Sequence, residues 1–267
     1  MNMKKWVKIT LWSLFAVTVL ILMAMVKAAQ EKTVLTTPHI VIRVNGENAF
    51  LTEDELYTRL ERKGLIYEGQ KYKGLKVHAT EKYLLSMSEV KKAKVFTNIG
   101  PTWTIEVEIR KPIARIFNKY GESFYLDEVG CTMVPSSLYT ARIVVVTGDV
   151  PDRVNSKPVS IIINNETLKT NRKLDDLYRI SHYVCSDELL QAQIGQIHCK
   201  TNGDYILIPQ VGAQIINFGT ARTNQEVSDK FLKLKVFYKE AMPYEGWNKY
   251  DEISLKYDKQ IVCKKKE

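Results

Sequence analysis

From Ile9 to Val26 the chain carries no charge: ITLWSLFAVTVLILMAMV. As a helix this run is about 27 Å long at ~1.5 Å per residue, close to the ~30 Å hydrocarbon core of a bilayer. A helix satisfies its own backbone hydrogen bonds, so such a segment can sit in lipid without other protein around it. Lys4, Lys5 and Lys8 precede the run, and the first acid is Glu31. The positive-inside rule then places residues 1–8 in the cytoplasm as a short tail, residues 9–27 in the membrane and the rest outside. Trp6 and Trp12 suit the headgroup region. A cleaved signal peptide is the competing reading, because Lys27-Ala28-Ala29 resembles a cleavage site. The run is longer than the apolar core of about 7–15 residues in such a peptide, and Lys27 stands where a small residue belongs. The expectation is an uncleaved anchor.

Beyond the anchor the chain is ordinary globular protein by composition. Of 267 residues, 45% are hydrophobic and 26% charged, which excludes wholesale disorder and collagen-like repeats. The length suits one or two domains. Four of the 39 basic residues precede Ala28, so the formal charge of +9 falls to +5 beyond it. That residue charge is scattered, and no nucleic-acid partner is expected.

The pattern predicts an α+β chain. Residues 28–36 read as a tether. Within residues 37–111, a strand at His39–Val44 ends at Asn45-Gly46. Thr52 and Glu55 then form a capping box opening a helix, with Leu51 and Leu56 at the hydrophobic-staple positions and Gly64 as the stop. A second helix is predicted from Thr80 to Leu85. Strands follow at Val90–Phe96 and Thr102–Arg110, joined by Thr97–Pro101. From residue 112 to 263 the texture is β-rich, with short strands at Ile113–Phe117, Ser123–Asp127, Ile143–Val146 and Ser160–Ile163. A helix is predicted over Leu174–Leu190, then strands at Tyr205–Ile208 and Gln214–Phe218. Thr223 and Glu226 make a second capping box, whose helix carries Val227, Phe231, Leu234, Phe237 and Tyr238. The chain closes with strands at Ile253–Tyr257 and Lys259–Cys263, a turn at Asp258, and a basic tail at residues 264–267.

Little in the sequence points to catalysis. His39, His78, His182 and His198 are scattered, and the CxxC, HExxH, GxGxxG and P-loop patterns are missing. Ser88-Glu-Val-Lys91 matches S-x-x-K, and Ser186-Asp-Glu188 and Lys200-Thr-Asn202 faintly echo the other two motifs of penicillin-recognising enzymes. Both echoes are incomplete and lie close together, and Ser88–Lys91 leads into a strand rather than a long core helix. A helix-to-strand turn explains it. Cys131, Cys185, Cys199 and Cys263 are even in number, and a Cys185–Cys199 disulfide is conceivable outside the cell; buried free thiols are the alternative. Tyr238, Tyr244, Trp247 and Tyr250 are either a binding surface or loop packing.

Val107-Glu-Ile-Arg-Lys-Pro-Ile-Ala-Arg-Ile116 resembles the junction between POTRA and β domains in the cell-division family FtsQ/DivIB. Phe124-Tyr-Leu-Asp127 with Gly130 resembles that family's next turn. Lys230-Phe-Leu-Lys-Leu234 with Phe237 and Tyr238 resembles its late helix. Asp251-Glu-Ile-Ser-Leu-Lys-Tyr257 with Gln260-Ile-Val262 resembles its closing hairpin, without the Gly common in the turn. The resemblance implies a single transmembrane helix, a POTRA-like βααββ domain and a β domain. It implies a non-catalytic divisome protein of the bacterial inner membrane at the septum, without cofactor or small-molecule substrate, that binds FtsB- and FtsL-like partners. A membrane-anchored cell-wall hydrolase or transferase and a POTRA-type transport component are the alternatives.

The last strand is the candidate partner site: Tyr257, Lys259, Gln260, Ile261, Val262 and Cys263. Nothing later in sequence need cover its outer edge, and an open edge is a template for an added strand. The Lys264–Lys266 run beside it suits edge protection or an acidic partner. A strand buried between neighbours is the other reading.

Overall fold

The computed structural model describes residues 3–44, 50–98, 100–246 and 248–266, with only the backbone given for residues 3–5. The apolar run forms one helix, α1 (Met3–Lys32), about 45 Å long at ~1.5 Å per residue. Trp6, Leu11, Leu14, Leu20 and Met25 along it are each at least 59% exposed. A long helix that is apolar all round and carries no protein cover is compatible with a single-pass membrane anchor.

The chain divides into two units, Met1–Arg43 with Leu51–Ile109, and Val44–Phe50 with Arg110–Glu267. In the first unit, β1 (His39–Arg43) is followed by α2 (Glu53–Arg62), α3 (Val77–Leu85), β2 (Val90–Thr97) and β3 (Trp103–Ile109). The Asn45-Gly46 turn expected after β1, and Ile99 of the expected β2–β3 connection, lie outside the described residues. The sheet order is β1-β3-β2, with β1 parallel and β2 antiparallel to β3. Strict alternation along β3 buries Trp103, Ile105, Val107 and Ile109 on one face. Leu56 and Leu60 of α2 and Leu84 of α3 are fully buried with them. The opposite face of β3 presents Glu106 to Arg43, and Glu108 to Lys91 and Lys92.

The capping box works on one side only. Thr52 Oγ1 accepts from the Glu55 amide at 3.3 Å, while the Glu55 carboxylate takes Arg59 at 2.7 Å. The second helix starts three residues before the expected Thr80. That hydroxyl is not a cap but donates back to the Lys76 carbonyl from within α3.

The second unit is a nine-stranded mixed sheet with helices along one face. Its strands are β4 (Pro112–Phe117), β5 (Ser123–Asp127), β6 (Thr132–Met133), β7 (Val144–Gly148), β8 (Ile194–Cys199), β9 (Tyr205–Pro209), β10 (Ile215–Gly219), β11 (Tyr250–Ser254) and β12 (Val262–Lys265). Their order is β12-β11-β10-β9-β8-β7-β4-β5-β6. Its helices are α4 (Val159–Ile163), α5 (Glu166–Asn171), α6 (Leu174–Ser186), α7 (Glu188–Gln193), α8 (Asn224–Val236) and α9 (Met242–Glu245). Leu177, Ile180 and Val184 of α6 and Val227, Phe231 and Leu234 of α8 share one core with Ile116, Val146, Ile197, Leu207, Ile216 and Ile253 of the sheet.

The structure corrects several expectations. Ser160–Ile163 is not a strand but lies in α4; Pro158 precedes it, and the Val159 amide bonds the Gly130 carbonyl. Tertiary anchoring overrides the β preference of three isoleucines. The helix expected over Leu174–Leu190 breaks at Asp187, whose carboxylate caps α7 by accepting from the Leu190 amide at 3.1 Å. β8 was not foreseen, because Gly195 and two polar side chains interrupt its apolar pattern. It is nevertheless central, parallel to β7 and antiparallel to β9. The motif Phe124–Asp127 ends in a buried hub. Asp127 accepts from the amides of Val129 and Cys131 and from Arg110 at 2.8 Å.

Gly148 has φ 97°, and a Cβ there would collide with the Cys199 carbonyl oxygen. Gly148→Ala should therefore lower stability by about 2–5 kcal/mol, from left-handed strain plus overpacking, measured by urea unfolding.

Candidate functional site

The predicted partner strand lies further along the chain than expected. β12 spans Val262–Lys265, so Val262 and Cys263 are in it while Lys259, Gln260 and Ile261 precede it. Tyr257 likewise falls outside a strand, because β11 ends at Ser254. Lys264 and Lys265 are strand residues, not a tail, and register opposite Glu252 and Tyr250. Among the described residues β12 has one neighbour, β11, and stands at the end of the sheet order.

The shift has a local cause. Leu255 is fully buried and its amide donates to Asn217 of β10 at 2.9 Å, so the chain stays committed to the core just past β11. The connection then turns through Lys259, whose φ of 57° is the one left-handed non-glycine value among the described residues. A lysine rather than a glycine takes the left-handed position of this turn. A non-glycine residue there is strained by about 1–2 kcal/mol, so the turn must be held by other contacts. Lys233 of α8 supplies one, donating to the carbonyls of Tyr257 at 2.7 Å and Leu255 at 3.4 Å. Ile261 and Cys263 pack partly against the core.

Strand alternation tells which backbone groups are unused. The Lys266 amide donates to the Lys249 carbonyl at 3.0 Å, towards β11. Two-residue periodicity turns the amides of Lys264 and Val262 the same way, and those of Cys263 and Lys265 outward. Beside this edge lies an open groove of about 500 Å³, walled by Leu232, Val236 and Phe237 on one side and Lys259 and Ile261 on the other. Leu232 is 48% and Val236 60% exposed. Sequence reasoning missed them and Lys233, though their signal was present. Leu232 and Val236 are apolar residues out of phase with the buried stripe of α8.

α8 is fixed by charge as well as packing. Glu226 accepts from the Arg222 amide at 2.9 Å and from Lys230 at 2.6 Å, and the Thr223 hydroxyl caps the Glu226 amide at 3.1 Å. Lys235 reaches Asp187 at 2.6 Å. The Lys235 hydrogen bond, aided by two amides of α7, holds the Asp187 carboxyl below its ordinary value.

The other candidates disperse. Ser88 sits in the turn after α3, and Lys91 in β2 pairs with Glu108 at 3.3 Å. Asp187 is a helix cap, and Lys200–Asn202 begin the β8–β9 connection. All four cysteines are free. Cys185 donates to the Ile113 carbonyl, Cys199 to that of Asp149, and burial pushes the Cys263 thiol up. Tyr238 is buried, Tyr244 is 88% exposed, Tyr250 bonds Glu245 at 3.0 Å, and Trp247 lies outside the described residues, so no single aromatic surface forms from the described ones.

Because the folded-state pKa of Asp187 is depressed, its contribution is present above the unfolded value of about 3.9 and is lost as pH falls through the folded value. Lys235→Met should cost about 0.2–1 kcal/mol at pH 7 and progressively less below pH ~4, as read by urea unfolding across pH.

No curated protein matches the chain. The profile described as "FtsQ/DivIB, C-terminal related" matches residues 111–264, more than half of the length and nearly all of the second unit, through Lys264 of β12. With the ordered motifs and the edge strand in place, the chain belongs to the FtsQ/DivIB family of cell-division proteins.

Proposed function

We propose that this protein is a non-catalytic divisome scaffold. It is anchored by α1 with its N-terminus in the cytoplasm, and it recruits FtsB- or FtsL-like membrane proteins by adding a partner strand to β12. The observation that carries this reading is the position of β12 at the end of the sheet with β11 as its one neighbour. Strand addition gives affinity through backbone hydrogen bonds, at about 0.5–1.5 kcal/mol net each. Lys259, Lys264, Lys265 and Lys266 favour an acidic partner segment and disfavour pairing between copies of this strand. Lys4, Lys5 and Lys8, which precede the apolar run of α1, support the orientation with the N-terminus in the cytoplasm. The βααββ order of the first unit supports its reading as a POTRA-like domain, and family membership supports the reading that the protein bridges early and late division proteins.

Cys263→Pro is the direct test, because it removes an outward amide and leaves the amides facing β11 intact. The full-length variant should keep a cooperative melt but lose capture of the FtsB-like partner by at least about tenfold, worth ~1.4 kcal/mol. Cells relying on it should filament. A folded variant that complements division fully would refute strand addition at this edge.

A further inference from the structure

Lysines from two separate parts of the first unit gather where α1 ends. Two lie on α1 itself: Lys27 follows the apolar run directly, and Lys32 is the last residue of the helix. The others, Lys71, Lys73 and Lys76, come from much later in the chain. They lie in and around a single 3₁₀ turn at Tyr72–Gly74 that leads into α3.

The backbone brings the two parts together. The Tyr72 amide donates to the Thr33 carbonyl at 2.9 Å and the Leu35 amide to the Gln70 carbonyl at 2.8 Å, with Val34 and Lys71 paired antiparallel. Residues 33–35 lead away from the apolar run, so the antiparallel segment 70–72 leads back towards it. The 3₁₀ turn is thereby held against the helix end, where Lys73 reaches Glu31 at 3.8 Å. Residues four apart lie over one another on a helix, so Lys27 stands one turn nearer the apolar run on the face that carries Glu31. All five lysines are exposed, and Lys27, Lys32, Lys71 and Lys76 form no ion pair among the described residues. The acids beside them in sequence are Glu31 and Glu68.

Depth selects the occupant. Along the helix, Glu31 is about 7.5 Å past Val26 at ~1.5 Å per residue. The headgroup layer of one leaflet is about 5–7.5 Å thick, from a total of ~40–45 Å around a ~30 Å core. Lys27 therefore lies within the headgroups and Lys73 at their outer margin. Lysine carries its charge on a flexible stem, and a Debye length of ~8 Å at physiological salt covers the remaining distance. Lipid phosphates tile this surface around the helix, whereas an acidic polypeptide would have to displace them from it. We propose that Lys27, Lys32, Lys71, Lys73 and Lys76 form a collar that binds anionic phospholipid headgroups and holds the first unit against the bilayer where α1 leaves it. This rests on α1 as the membrane anchor, and adds what the first unit itself touches there.

The test uses full-length protein in phosphatidylcholine nanodiscs doped with a trace photoreactive lipid, with adducts mapped by mass spectrometry. Three probes are compared: phosphatidylglycerol labelled in the headgroup, phosphatidylcholine labelled in the headgroup, and phosphatidylcholine labelled in the acyl chain. The acyl-chain probe should mark residues 9–26. At residues 71–76 the phosphatidylglycerol probe should exceed the phosphatidylcholine headgroup probe at least about fivefold, and the preference should fade at ~1 M salt. Lys71→Gln with Lys73→Gln and Lys76→Gln should abolish the preference there while the melting curve and the acyl-chain adducts stay unchanged. The corresponding arginine variant should keep it. Missing acyl-chain adducts would overturn the anchor, and this inference with it. With α1 labelled, equal headgroup labelling by the two lipids, or a preference that survives in the glutamine variant, overturns the collar alone. Headgroup adducts missing from residues 71–76 in that case would overturn it in favour of an acidic polypeptide.

Discussion

An open β-sheet must end somewhere, and its last strands carry backbone donors and acceptors that no neighbour takes up. Among the described residues of the second unit the hydrogen-bonded ladder runs through nine strands and ends at β6 on one side and β12 on the other. The two ends are built differently. β6 is two residues long, and its Thr132 hydroxyl bonds the Val154 carbonyl, so it offers little ladder to a visitor. β12 is four residues long and is fastened from behind by the Lys266–Lys249 hydrogen bond, the packing of Cys263 and the Lys233 clamp on the connection before it. An edge ordered in advance loses less conformational entropy when a strand is added, and that lowers the cost of binding.

The same logic explains why helix α8 matters to the site proposed on β12. Its buried stripe, Val227, Phe231 and Leu234, locks it to the sheet, and Lys230–Glu226 and Lys235–Asp187 fix its ends. That leaves Lys233, Leu232 and Val236 facing the β11–β12 connection and the groove beside it. Strain at Lys259 is tolerated because the surrounding contacts over-determine the turn. Family membership, the apolar helix α1 and the edge strand β12 rest on separate features of the chain, and the proposed scaffold role draws on all three.

Much of this was legible in the residues. The uncharged run gave α1, the run Thr102–Arg110 gave β3, and Thr223 gave the start of α8. What was not legible depended on distant contacts. Ser160–Ile163 carries three successive β-branched isoleucines, yet Gly130 and Pro158 make it a helix. β8 is central despite Gly195 and Gln196, because its pairing comes from β7 and β9 and not from its own pattern. The last strand was placed three residues early, since apolar Ile261 looked like strand and Lys264 and Lys265 like tail. The structure inverts that, because an exposed edge can carry lysines. The groove residues were hidden for a related reason. They lie off the apolar stripe, where a helix normally meets water.

Backbone amide exchange of the full-length protein in nanodiscs addresses the open edge most directly. The account predicts that in the free protein the amides of Val262 and Lys264, which face β11, exchange slowly, while those of Cys263 and Lys265 exchange close to the rate of unstructured peptide. Adding the FtsB-like partner should then slow Cys263 and Lys265 alone. Equal protection of all four amides before the partner is added would contradict it.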